Sequence, residues 1–76
     1  MKIEIYGTGC KKCRDLYENA SAAVAESGVT AEVVKVEDIV KITDAGVFLT
    51  PAISVDGEVK SSGKLLSVED IKKIIT

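Results

Sequence analysis

Cys10 and Cys13 are the two cysteines of a 76-residue chain, set in Cys-x-x-Cys spacing with Lys11 and Lys12 between them and Gly9 just ahead. A thiol pair of this kind can cycle between dithiol and disulfide, close a structural bridge, or offer thiolates to a metal. Magnitudes weigh against the bridge. Closing so short a loop removes only about 2 kcal/mol of unfolded-state entropy, against about 4.7 kcal/mol for a loop of a hundred residues, so cysteines used for stability alone belong far apart. Counting weighs against a metal. A closed zinc site takes about four ligands, and this chain offers two cysteines and no histidine, so only a bridging dimer could assemble four thiolates. Redox exchange is the leading reading, with a structural bridge and metal handling as its competitors.

The elements that must position the pair follow from the change in apolar period on either side of it. Lys2-Ile3-Glu4-Ile5-Tyr6 alternates and is rich in β-branched residues, which predicts a strand with Ile3 and Ile5 on one face, ended by Gly7-Thr8-Gly9. From about Cys10 the spacing becomes helical: Cys13, Leu16 with Tyr17, Ala20, Ala23 with Val24, and Ser27 form a stripe, and Gly28 suits the stop. A cysteine at a helix start is where a thiolate forms most easily. Ala31 to Val36 reads as a second strand, and strand, crossover helix and strand make a parallel unit. Asp38 reads as an N-cap, Ile39 to Ala45 as a short helix and Gly46 as its C-cap. Ala52 to Val55, Asp56-Gly57 and Glu58 to Ser61 carry a hairpin signal, because Asp-Gly supplies the positive φ of a tight primed turn. Ser67 with Asp70 reads as a capping-box pair, Leu66 with Ile71 as a hydrophobic staple, and Ile71, Ile74 and Ile75 as the buried stripe of a last helix. The order is βαβαββα, an α/β fold with a mixed four-stranded sheet and three helices, expected to form one domain over residues 1–76.

Composition narrows the classes of function. A hydrophobic fraction of 46% supports a core, near the lower size at which one core suffices. Net charge is −2 and the ten basic residues are scattered, so no stripe for nucleic acid or a membrane surface is formed. No apolar run reaches the length of a membrane span and Met1 leads directly into a strand pattern, which makes the cytoplasm the expected address. There a lone cysteine pair is more often catalytic than structural.

With Cys-x-x-Cys at the first strand-to-helix turn and Thr50-Pro51 just before the third strand, the chain resembles the minimal thioredoxin fold shared by glutaredoxins. Its wording is closer still to the very small archaeal and bacterial thioredoxin-like proteins called redox-active disulfide protein 2. Ile5-Tyr6-Gly7-Thr8-Gly9-Cys10, Thr50-Pro51 and Val55-Asp56-Gly57-Glu58 carry that resemblance, which covers essentially the whole chain. It implies a thiol-disulfide oxidoreductase in which Cys10 is the attacking thiol, Cys13 the resolving thiol and Pro51 a cis proline facing them. Gly9, Lys11, Lys12 and Thr50 are then tuning or substrate-facing residues. The expected partners are a disulfide-containing protein and a thiol or reductase donor, met by a monomer without cofactor or metal. The chain departs from thioredoxin proper in lacking a tryptophan before the first cysteine and Gly-Pro between the two, and it has Ser62-Gly63 where glutaredoxins carry paired glycines.

Secondary candidates follow the same resemblance. Glu4, six residues ahead of Cys10, matches the position of the buried acid that thioredoxins hold near the resolving cysteine, although a solvated strand residue is its plainer reading. Lys11 and Lys12 read equally as solvated helix surface. Phe48 and Leu49 read as core more than contact residues, and Tyr6 and Thr8 as either. The competing class is a soft-metal carrier for Cu(I) or zinc, since thiolates suit such ions. Those domains run βαββαβ and place Met two residues before the first cysteine, where Thr8 stands here. A redox-gated binding protein that never turns over is a third possibility.

Overall fold

Alternation along Lys2–Tyr6 sends Ile3 and Ile5 to one side of a strand and Glu4 and Tyr6 to the other. In the computed structural model, which describes residues 1–76, this segment is strand β1. It is followed by α1 (Lys11–Ser27), β2 (Glu32–Val36), α2 (Ile39–Asp44), β3 (Ala52–Val55), β4 (Glu58–Ser62) and α3 (Val68–Ile75). The element order read from the sequence is the one observed, and it makes the fold a thioredoxin-type α/β arrangement. The strands lie in the order β2-β1-β3-β4. β1 and β2 run parallel, with Ile3 beside Val33 and Tyr6 beside Val36. β3 is antiparallel to β1 and to β4.

Local chemistry sets the boundaries. Gly28, at φ 73°, ends α1 in the left-handed conformation while its N–H bonds the Val24 carbonyl at 3.2 Å. The Asp38 carboxylate accepts from Val40 N at 2.8 Å and starts α2. The end of α2 differs slightly from the sequence expectation: Asp44 is the last helical residue, Ala45 caps in right-handed geometry, and Gly46 supplies the left-handed step after it. Asp56 and Gly57 both take positive φ, at 50° and 87°, as a primed hairpin turn requires. Asp56 also exchanges bonds with Lys2, accepting from its N–H through Oδ1 and donating to its carbonyl, both at 2.8 Å. That ties the hairpin to the first residue of β1. Ser67 caps α3 by accepting from Asp70 N at 3.2 Å.

The two faces of the sheet are covered unequally. Ile3 and Ile5 of β1 with Ile53 and Val55 of β3 pack against Leu16, Ala20 and Ala23 of α1 and Ile71 and Ile75 of α3. Each fully buried aliphatic side chain in this layer contributes about 1.5–3 kcal/mol, a large share of the stability of so small a domain. Lys72 links the rims of α1 and α3 through Glu26 at 3.3 Å, and this bond, followed by the charge of Glu69, raises its pKa above the ordinary lysine value. The other face has only six-residue α2, so its core is the small group Tyr6, Val36, Ile42, Val47 and Ala52 near one end of the strands. The Tyr6 and Ser54 hydroxyls pair there at 3.2 Å, which makes Tyr6 a packed strand residue rather than part of the site surface.

Phe48 and Leu49 depart from the core reading. They are 85% and 64% exposed in the connection between α2 and β3. Apolar character marks them as core on hydropathy alone, but neither belongs to a helix or strand that could turn it inward.

Candidate active site

Cys10 is the N-cap residue of α1, with φ −67° and ψ 165°, where Ser, Thr, Asp or Asn would ordinarily stand. Its Sγ accepts the Cys13 N–H at 3.3 Å and its carbonyl accepts the Arg14 N–H at 3.0 Å. The sulfur thus does what a capping oxygen does: it satisfies one of the helix's orphan donors. The first turn of α1 contains no acidic residue, so no carboxylate competes with Cys10 for the positive end of the helix. Both effects favour a thiolate at this position when the pair is reduced.

The two sulfurs are joined as a disulfide across a Cα separation of 5.1 Å, and their surroundings differ. Cys10 is exposed, whereas Cys13, one helical turn further in, is 6% exposed and sits on the face of α1 that meets the sheet. Gly7 makes that seating possible. A Cβ on Gly7 would overlap Cys13 Sγ and lie 2.8 Å from Cys13 Cβ, closer than real Cβ atoms approach their neighbours. Because Gly7 continues the side of β1 that carries Ile3 and Ile5 and bonds through its N–H to the Val36 carbonyl at 3.1 Å, neither partner can easily yield. The sequence reading treats Gly7 only as the end of a strand. The signal available was a glycine in phase with the buried face, directly ahead of the cysteine turn.

Gly9 takes φ +89°, which L side chains rarely adopt, and a Cβ there would lie 3.3 Å from Glu37 Oε2. Lys11 is a surface residue, 82% exposed and paired with Asp15 at 2.9 Å. Lys12 is exposed and has no acidic group within ion-pair distance, so of the two lysines it has the less neutralised charge near the sulfur. The Thr50–Pro51 bond is cis and Pro51 is fully buried. Thr50 is exposed and lines a hollow with Thr8, two residues before Cys10, and with Ile39 and Phe48. The backbone groups of Phe48, Leu49 and Thr50 make no internal hydrogen bond.

Glu4 lies elsewhere. It is half-buried on the side of β1 opposite Ile3 and Ile5, in a hollow with Lys2, Tyr6 and Lys41, and the cavity beside Cys13 excludes it. Strand alternation accounts for this: Glu4 and the Gly7 position that receives Cys13 have opposite parity along the chain. The acid bordering the Cys13 cavity is instead Glu37, just after β2.

The Thioredoxin domain family matches this chain over residues 1–76. The chain is 47% identical over 76 residues to a protein named thioredoxin from Methanothermobacter thermautotrophicus, covering 100% of this chain and 99% of that one. It is 48% identical over 71 residues to a thioredoxin from Methanocaldococcus jannaschii, covering 93% of this chain and 81% of the relative.

The Gly7 contact yields a prediction. Gly7→Ala displaces Cys13 and the first turn of α1, lowering stability by about 1–3 kcal/mol as expected for an overpacked site. Urea unfolding of the oxidised protein measures the loss. Gly28→Ala, where a Cβ meets nothing within 4 Å, is the comparison for a glycine whose demand is φ alone.

Proposed function

This chain belongs to the thioredoxin family, and from that premise we propose how its residues divide the work of disulfide exchange. It is a thiol-disulfide oxidoreductase that cycles the Cys10–Cys13 pair between disulfide and dithiol, acting with disulfide substrates and reductants. Cys10 is the attacking thiol. Its thiolate displaces one sulfur of a substrate disulfide, forming a mixed disulfide and releasing a substrate thiolate. Cys13 then attacks Cys10 Sγ, closes the intramolecular disulfide and releases the second substrate thiolate, so two electrons pass from the chain to the substrate. An external thiol or reductase returns the pair to the dithiol form. The observation that carries this division is the contrast between an exposed Cys10 at an acid-free helix start and a Cys13 buried to 6% exposure.

The reading extends to the substrate. The unpaired backbone of Phe48 to Thr50 offers strand-like hydrogen bonds to an extended segment of a partner protein. Exposed Ile39 and Phe48 give that segment an apolar surface in the hollow they share with Thr8. The partner is therefore a protein whose disulfide lies in an extended, apolar stretch, and the 76 residues work as one monomeric domain in the cytoplasm. Lys12, with Lys11, adds positive charge at the sulfur. Its effect is modest because both lysines are solvated.

Three measurements test these roles. In a disulfide-reduction assay on an insulin-like substrate, Cys10→Ser abolishes turnover, whereas Cys13→Ser accumulates a covalent mixed disulfide through Cys10, identified by mass. Phe48→Ser raises KM for the protein substrate about tenfold while kcat holds, because loss of an aromatic contact removes about 1.5 kcal/mol or more of docking energy. An unchanged KM would remove Phe48 from the docking surface. The double change Lys11→Glu, Lys12→Glu raises the Cys10 pKa in a thiolate-absorbance titration, and an unmoved titration would reduce the lysines to solvated surface.

A further inference from the structure

We infer that Lys12 and Lys64 form a cationic border on one side of Cys10, and that the partner is a protein whose attacked cysteine lies in an extended segment with acidic residues close by. The inference rests on the reading of Cys10 as the attacking thiol and adds the charge of what it attacks. Three contacts place the border. Lys12, Leu16 and Asn19 share one row of α1, at i, i+4 and i+7. Asn19 donates through Nδ2 to the Leu66 carbonyl at 2.9 Å, so this row faces the connection between β4 and α3. At its other end that connection meets the segment ahead of β3: the Gly63 N–H donates to the Pro51 carbonyl at 2.9 Å, and a Cβ on Gly63 would lie 3.2 Å from Leu49 Cβ. Lys64 follows directly in the chain and is exposed, as Lys12 is.

The charges around Cys10 are divided by side. Neither Lys12 nor Lys64 has a carboxylate within ion-pair distance, whereas Lys11, on the neighbouring row of α1, is held by Asp15. No acidic residue occurs in Phe48–Ala52, in Ser61–Ser67 or among Lys12, Leu16 and Asn19, the stretches that make up this border. Glu37 lies toward the opposite edge of the sheet, with Arg14 and Lys35 around the cavity next to Cys13. The hollow shared by Thr8, Ile39 and Phe48 has no charged lining. On a chain whose net charge is −2, the border is therefore a local reversal of sign. Charge complementarity selects its occupant: a segment that puts a carboxylate toward Lys12 and Lys64 and an apolar side chain into the hollow. A basic segment meets two uncompensated ammoniums, and that repulsion rejects it.

Recognition of the partner is separated from thiolate formation by a ratio of rates for two substrates, because the same Cys10 thiolate attacks both. The substrates are thiopyridyl disulfides of one short apolar peptide with a central cysteine, flanked two residues away on both sides by Glu or by Lys. Cys10 attacks the peptide sulfur, and the bond to thiopyridine breaks with its electron pair on that leaving group, whose absorbance reports the rate. Cys13 then closes on Cys10 and frees the peptide thiol, so the dithiol of the chain is oxidised and the peptide disulfide is reduced. Dividing by the same ratio for dithiothreitol, an uncharged dithiol, removes the intrinsic reactivity of the two peptides.

At low ionic strength the wild-type ratio is expected at about tenfold in favour of the Glu peptide, falling to about twofold in roughly 0.5 M salt, because the charges are solvated and screened. In the double variant Lys12→Gln, Lys64→Gln the ratio drops to about twofold or less even at low salt, and each single variant falls between. Lys73→Gln is the control. It removes an exposed lysine next to Lys72, which pairs with Glu26 in the last turn of α1, at the far end of that helix from Cys10, and it keeps the wild-type ratio. A wild-type ratio near unity, or a ratio in the double variant as high as in Lys73→Gln, overturns the inference and leaves the redox assignment in place. Release no faster than in Cys10→Ser from both peptides overturns that assignment itself, so the two failures are distinguishable.

Discussion

The seating of Cys13 against Gly7 is the contact on which the redox site depends. A helix that begins beside a strand end needs somewhere to put its first inward-facing side chain, and here that side chain is a sulfur lodged where β1 offers no Cβ. Once Cys13 is fixed in this way, helical geometry carries Cys10 outward to the N-cap position, where its own sulfur takes the Cys13 N–H. One steric allowance therefore produces the chemical inequality between the two thiols. The outer sulfur has solvent, a helix N-terminus and a hydrogen-bond donor. The inner one has a cavity wall.

The same economy governs the rest of the molecule. With 76 residues, the chain builds one well-covered layer, in which α1 and α3 bury Ile3, Ile5, Ile53 and Val55, and leaves the opposite face to a short α2. The uneven coverage leaves apolar side chains of α2 and of the following connection in solvent, with Ile39 and Phe48 around the hollow that Thr8 also lines. In a larger domain such residues would be enclosed.

Much of this was legible from local signals. The switch from period two to period 3.6 after Gly9, the Asp-Gly turn and the Ser67 and Asp38 caps depend on backbone preferences that act over a few residues. Each fell within a residue or so of its observed place. Phe48 and Leu49 were misleading because hydropathy reports what a side chain prefers, not whether the neighbouring chain can enclose it. Glu4 was drawn in by its distance along the chain from Cys10, but alternation along β1 turns it to the far side of the sheet.

By itself, then, the sequence determined the order of elements, the cysteine pair at the mouth of α1 and the class of chemistry that pair performs, since these rest on spacing and on side-chain type. Only the tertiary structure decided that Gly7 accommodates Cys13, that Glu37 rather than Glu4 borders the inner thiol, and that the Phe48–Thr50 strip stands open. The physical reason is the parallel pairing of β1 with β2, which sets Tyr6 beside Val36 and so brings the turn after one strand against the residue following the other. Neighbours made by strand pairing are far apart in the chain and leave no mark in local spacing.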